Sequence, residues 1–178
     1  MYERVLAFWF EETSPQQWWR VDAAFDAMVR ERFGALLRQA GQGELYGWRA
    51  QPRGRLAEVI VLDQFPRNIH RGTAQAFACD PMALALAQEA IAGGHDRTLQ
   101  PVERSFLLLP YMHSESALVH VEAERLYRAN GLPDNYEFEL KHKAIIDRFG
   151  RYPHRNAILG RESTAQELAF LEQPGSSF

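Results

Sequence analysis

The stretch RFGRYPHRN, residues 148–156, carries three arginines, a histidine and an asparagine without a single acid. Arginine's planar fork meets a carboxylate or phosphate at two points and keeps its charge when partly buried. Such a stretch is either solvated decoration on a helix end or one wall of a site that holds an anion. Two further stretches share its character: LDQFPRNIHRG (62–72) and LPYMHSE (109–115). Across the three, Arg67, Asn68, Arg71, Arg148, Arg151, His154, Arg155 and Asn156 form the expected ligand-contacting set, with Arg67, Arg151 and Arg155 foremost. Asp63 is expected to fix one arginine by a two-point pair, and Gln64 and His142 to support the set from behind.

Proton-transfer chemistry has candidates in the same places. His154 adjoins Arg155, a cation that lowers an imidazole's pKa, and a neutral imidazole is a general base near pH 7. His113 with Glu115 makes a second acid–base pair, so the catalytic candidates are His154, His113 and Glu115. Plainer readings stand beside these. Cations near helix C-termini complement the dipole, and Asn and His serve in turns. Glu115 after Ser114 also reads as an ordinary helix start. His142, four residues after Phe138, faces an apolar stripe as a satisfied core histidine would.

A metal site built from His113, Glu115, His142 or His154 matches no standard ligand spacing, and arginines repel a cation, so no metal and no cofactor are expected. Ser105, Ser114 and Ser116 lie in no nucleophile motif. Gly93-Gly94 lacks the Lys-Ser or Lys-Thr of a phosphate loop.

The elements that must position these residues read as helices. Period-2 β-branched runs are almost absent and 3.6-residue periodicity recurs. A short helix opens with Val5, Leu6, Phe8 and Trp9. Asp22 caps a second, whose stripe runs Phe25, Met28, Val29, Phe33, Leu36, Leu37 and Ala40. A third runs from about Gly54 to Gln64 and halts at Phe65-Pro66. Asp80-Pro81 starts a fourth, ended by Gly93-Gly94. Pro101 starts a fifth that stops at Pro110, and Ser114 caps a sixth reaching Asn130-Gly131. Asp134 with Glu137 begins a seventh that ends at Phe149-Gly150, and Thr164 with Glu167 begins an eighth. The tail, 172–178, is expected to fray.

Eight helices on short connections predict an all-α, single-domain, antiparallel array of helical hairpins over residues 1–178. In such an array every second helix points the same way. The ends of helices three, five and seven, where the three polar stretches lie, should therefore share one side with the N-termini of helices four, six and eight, which favour anions. Between Lys141 and Arg161 six Lys or Arg face one acid, Asp147. FPRNI (65–69) and YPHRNAI (152–158) look alike, which reads either as an internal duplication or as similar turn chemistry.

Bulk composition narrows the partners. With 46% hydrophobic residues and a net charge of −3, the chain builds a core and lacks the surplus of cations expected of a nucleic-acid binder. The single cysteine, Cys79, fits a reducing compartment. No signal peptide or membrane span is read, so a cytoplasmic location is expected.

Together, LDQFPRNIHRGTAQAFACD, LPYMHSE and RFGRYPHRNAILGREST, with the VLAFWF start and paired Trp18-Trp19, resemble the bacterial family called domain of unknown function 924. The resemblance implies a tetratricopeptide-like all-helical fold and marks Asp63, Gln64, Pro66, Arg67, Asn68, Arg71, His113, Ser114, Glu115, Arg148, Arg151, Pro153, His154, Arg155 and Asn156 as motif positions. His70 departs from the aromatic residue that relatives carry there. The resemblance brings no reaction, substrate or cofactor. The residues themselves point first to a binding domain for a small anion or peptide carboxylate, and second to a hydrolase or transferase acting on an anionic substrate. Oligomeric state is left open.

Overall fold

The computed structural model describes residues 1–176. Among them are eight α-helices and no strand. Helix α1 (Tyr2–Ala7) loosens into a π-helical turn over Phe8–Glu12, which closes when Thr13 N–H donates to the Phe8 carbonyl at 3.0 Å. Helix α2 (Ala23–Gly41) starts at Asp22, whose Oδ1 accepts from the Ala24 and Phe25 amides at 2.9 and 3.1 Å, and it closes through Gly43 in the left-handed region. Then follow α3 (Pro52–Ile69), α4 (Asp80–Ala92), α5 (Pro101–Met112), α6 (Ala117–Asn130), α7 (Pro133–Phe149) and α8 (Ala165–Leu171). From α2 to α7 each helix packs on its successor, so the chain runs as a series of helical hairpins.

Helix α3 is the axis of the molecule. Every residue from Leu56 to Pro66 is buried, and it touches α1, α2, α4 and α5. A helix covered on all sides must satisfy whatever charge it carries. Glu58 does so through a two-point pair with Arg49 at 2.7 and 2.8 Å. Asp63 does so at the site described below.

The N-terminal third wraps α3 and α5 in aromatic rings. Phe65, fully buried, lies within 4.8–6.3 Å of the rings of Phe8, Trp9 and Phe33. Trp9 meets Phe106 edge-on at 5.7 Å. Of the tryptophan pair, Trp18 packs inward and donates to the Trp9 carbonyl, whereas Trp19 lies flat on Phe106 with most of its surface exposed. A smaller cluster of Ile145, Ile146 and Tyr152 gathers under α7 and α8.

Several boundaries differ from those expected. Helices α3 and α5 pass through Pro66 and Pro110 and end at Ile69 and Met112. Each proline stands in the last turn, where it forfeits one amide bond and little helix remains to be broken, while buried Ile69, Tyr111 and Met112 hold the extra residues to the core. Ser116 caps α6, not Ser114. Pro133 opens α7 in place of an Asp134 cap, its fixed φ suiting the first turn. Asp80 lies inside α4, with Cys79 at the cap. The Thr164–Glu167 capping box forms as expected. Of the segment expected to fray, Ser176 is buried and donates to the Leu171 carbonyl at 3.1 Å, and 177–178 lie outside the described residues.

Truncating Phe65 to alanine should empty the middle of the aromatic cluster and cost about 3–5 kcal/mol of unfolding free energy. Urea denaturation checks this, and a loss under 1 kcal/mol would show that α3 is not held there.

Candidate functional site

The ends of α3 and α5 and the turn after α7 meet around one chain of charges. Asp63, near the end of α3, accepts from or pairs with His113 Nδ1 at 2.8 Å at the end of α5. Arg67, one turn on, lies 3.4 Å from the Asp63 carboxylate and donates to its carbonyl. The Arg67 fork closes on both oxygens of Asp80 at the start of α4, at 2.8 and 2.9 Å. Arg155 follows, its Nη1 3.7 Å from the same Asp80. Arg67, His113 and Arg155, separated by up to 88 positions along the chain, thus share one continuous contact.

This contact forms the floor of a cleft of about 400 Å³ between the start of α4, the end of α5 and the turn 153–159. Phe77, Pro81, Leu84, Pro110 and Leu159 supply apolar wall; Asp80, His113, Ser114, Glu115 and Arg155 supply polar groups. A mostly apolar hollow with a few convergent polar groups has the make-up of a small-molecule site.

Arg155 is the unusual member. Its side chain is only 8% exposed. The guanidinium lies 4.6 Å from the ring centres of both Phe77 and Tyr152, clamped between two π faces. Its Nε is buried without a hydrogen-bond partner. No hydrogen bond to its guanidinium is formed among the described residues, and the nearest carboxylate stands at 3.7 Å. Burial, and then the neighbouring Arg67 charge, depress its pKa, a cost that ordinary arginine pairing would have removed.

The other arginines of the expected set are engaged elsewhere. Arg71 forms a two-point pair with Asp26 of α2 at 2.6 and 2.9 Å, and Asn68 donates to the same carboxylate at 2.8 Å. Arg151 pairs with Glu167 at 2.7 and 2.9 Å and reaches the Glu162 carbonyl. Arg148 lies over the rings of Phe149 and Phe170. Arg161 closes on Glu115, which also accepts from the Tyr152 amide at 2.7 Å. Asn156 accepts from Arg161 and donates to Ser163. Of the local cationic surplus from Lys141 to Arg161, Arg151, Arg155 and Arg161 thus meet acids outside that segment, while Lys143 pairs with Asp147 inside it. Asp63 takes His113 and Arg67 as partners, while the two-point pair with Arg67 belongs to Asp80. Gln64 donates to Asp63 at 2.6 Å. His142 holds the Phe138 carbonyl at 2.7 Å and packs edge-on against Tyr152. His154 also lies against Tyr152, and it is absent from the cleft lining.

The N-termini expected to attract anions carry their own acids or caps. Helix α4 begins with Asp80 and Pro81, and Thr164 and Glu167 close α8. Sequence reading missed Asp80 as a site residue and missed the Phe77 and Tyr152 clamp. Asp80 looked like a cap, and nothing in local spacing links it to Arg67 thirteen positions earlier.

Electrostatics sorts the titratable groups. Burial alone would raise Asp63, but Arg67 and then His113 hold it well below the usual carboxylate range. His113 is lowered by burial and by Arg67, against the pull of Asp63. A neutral ring whose Nδ1–H donates to a carboxylate leaves the Nε2 lone pair for the cleft. His154 is lowered to about 4 and His142 to about 3, burial being the larger cause in both. The Cys79 thiol is pushed up by burial and by Asp80, away from thiolate chemistry. Among the described residues, no three His, Cys, Asp or Glu side chains converge as metal ligands.

Fold and cleft together define an all-helical protein with a hollow of about 400 Å³ bordered by paired charges and by an arginine whose nearest carboxylate stands at 3.7 Å. The chain belongs to the family described as bacterial protein of unknown function (DUF924), whose model matches residues 5–175. It is similar to a solved structure of a protein of unknown function from Agrobacterium tumefaciens, with 39% identity, 96% of each chain covered and a TM-score of 0.91. A comparison with curated proteins finds no match.

The lowered histidines predict a pH dependence. A histidine whose folded pKa lies below its unfolded value of about 6.5 binds fewer protons when folded, so stability falls as pH drops through 6.5. The loss continues down to about 4 for His154 and about 3 for His142. Asp63 has the opposite origin: its contribution is present above about 3.9 and fades only below it. Urea midpoints should thus decline between pH 6.5 and 5, and His142→Gln should flatten that decline. An unchanged slope in the variant would show that His142 is not buried neutral.

Proposed function

We propose that this protein binds a small anionic ligand, with Arg155 as its anchor, in the cleft at the ends of α3, α5 and the turn after α7. The observation that carries this reading is the Arg155 guanidinium: nearly buried, clamped between Phe77 and Tyr152, 3.7 Å from Asp80 and without a hydrogen bond among the described residues, while lining a cleft of about 400 Å³. A desolvated cation with unused donors is an expensive group to keep. A carboxylate or phosphate on the ligand, free or at a peptide terminus, would complete it with charge-assisted bonds. Of the positions expected to contact the ligand, the reading now rests on Arg155, with Arg67 acting through Asp80; Arg71, Arg148, Arg151, His154, Asn68 and Asn156 do not line the cleft. The stacked hairpins suit a tetratricopeptide-like helical repeat, a type of scaffold that presents hollows to ligands. No described helix is long and apolar enough to cross a membrane, and with one cysteine in the chain we place the protein in the cytoplasm.

A second reading, an enzyme acting on an anionic substrate, is favoured by one observation. Asp63 holds Nδ1 of the cleft-lining His113, which leaves Nε2 as the basic nitrogen of a neutral ring in the same lining as the cation that would hold the substrate. In that case His113→Gln removes turnover and keeps binding.

Arg155→Met separates a binding residue from a structural one. The apolar stem keeps the contacts with Phe77 and Tyr152 and removes a nearly buried charge held only by a long contact with Asp80. The unliganded protein should therefore unfold at the same temperature or higher, with a gain of up to about 1–2 kcal/mol. Thermal shifts caused by carboxylates, phosphates, nucleotides or short peptides should vanish; a ligand at a hundred times its Kd stabilises the unaltered chain by about 2.7 kcal/mol. A fall of several degrees in the unliganded variant, with ligand shifts intact, would make Arg155 a structural residue and end the proposal.

A further inference from the structure

We infer that the ligand is a monocarboxylate with an apolar body, a conclusion that rests on the proposed anion site and specifies its occupant. Three observations lead there. The first is that the cleft offers one unused fork. Arg67 and Arg161 stand close by, yet each is already closed in two-point fashion, on Asp80 and Glu115 respectively. Of these three guanidiniums, Arg155 alone makes no hydrogen bond among the described residues, and one planar fork matches one carboxylate.

The second is the sign of the surrounding charge. Asp80 and Glu115 both line the cleft, and Asp63 lies just behind. These three carboxylates balance the three guanidiniums of Arg67, Arg155 and Arg161, so the cluster is neutral before the ligand arrives. A ligand with one negative charge meets Arg155 alone. A dianion would bring its second charge against Asp80 and Glu115 in a partly desolvated hollow, where like charges repel strongly. Nor do helix N-termini offer relief: α4, the helix that borders the cleft with its first turn, opens with Asp80 itself and with Pro81, which has no N–H. Sites for phosphate monoesters draw on several free cations or amides, whereas Arg67 and Arg161 are closed on carboxylates here.

The third is the rest of the lining. Phe77, Pro81, Leu84, Pro110 and Leu159 continue from the charged floor as one apolar wall. The volume of about 400 Å³ equals that of roughly a dozen waters. A bare anion would leave the wall wet, whereas a short hydrocarbon or aromatic group joined to the carboxylate fills it. The same chemistry is available from a free acid or from the C-terminal residue of a peptide.

The test is calorimetric titration of the full chain with matched probes: acetate, butanoate, hexanoate, adipate, hexyl phosphate, inorganic phosphate and N-acetyl-dialanyl-leucine. Affinity should rise from acetate to hexanoate by about fourfold per methylene. Hexanoate should exceed both adipate and hexyl phosphate by tenfold or more. The ratio of the peptide's affinity to that of hexanoate identifies the source, a peptide terminus if the peptide is tighter and a free acid if it is weaker. Asp80→Asn removes a flanking negative charge and frees the Arg67 fork, so the preference for hexanoate over hexyl phosphate should shrink at least fivefold. Hexyl phosphate or inorganic phosphate binding as tightly as hexanoate overturns the inference and leaves the anion site standing. Acetate binding as tightly as hexanoate overturns it as well, because the apolar wall is then unused. If none of the anions binds, or if Arg155→Met binds them all unchanged, the anion site itself fails.

Discussion

Arg67 is the joint on which the arrangement depends. One guanidinium, standing in the last turn of a buried helix, touches Asp63 of its own helix and closes on Asp80 of the next. Through Asp63 it sets His113, and through Asp80 it sets the distance of Arg155. Coulomb attraction in a poorly solvated place is strong but is largely offset by the loss of hydration, so such a network adds little net stability compared with apolar packing. What it does supply is position. Each two-point pair accepts only a narrow range of geometry, so the ends of α3, α4 and α5 are fixed relative to one another at the one place where the cleft opens.

Burial of α3 is the condition that makes this joint necessary. A helix sealed from Leu56 to Pro66 can carry a carboxylate such as Asp63 only where partners come to it. His113, Gln64 and Arg67 arrive from three directions, one from a different helix and two from its own turn. Phe65, packed on Trp9, stands between Asp63 and Arg67 in the chain, and helical geometry turns it to the opposite face. Stability and chemistry are thereby divided across the last turns of a single helix, with rings on one face and charges on the other.

Much of this frame is legible in the sequence, because its signals are local. Asp22 and Thr164 with Glu167 cap as their spacing predicts, and Gly43, Gly94 and Gly150 turn the chain in the left-handed region. The alternation of helices also predicts that the ends of α3, α5 and α7 gather on one side. Local rules misjudge Pro66 and Pro110, since packing of the residues beyond them outweighs one lost amide bond. They also cannot rank arginines. Arg151 and Arg155 look equivalent four positions apart, yet one meets Glu167 and the other meets two rings. The difference lies in residues that only the tertiary fold brings near. The likeness of FPRNI and YPHRNAI is settled in the same way: Pro66 lies within a helix and Pro153 opens a 3₁₀ turn, while Asn68 and Asn156 bond to unrelated partners. Similar letters serve different turns.

The contrast among the cations makes Arg155 meaningful. A chain that pairs Arg49, Arg67, Arg71, Arg151 and Arg161 in two-point fashion is well able to satisfy guanidiniums. Leaving one of them nearly buried between two aromatic faces, short of a carboxylate by about an ångström, is a local disagreement with that rule. Such disagreements concentrate where a protein meets something outside itself. The π faces of Phe77 and Tyr152 explain how the charge is tolerated meanwhile. They attract the cation without consuming its N–H donors, so its position is fixed while its hydrogen-bonding capacity is left for the proposed anion.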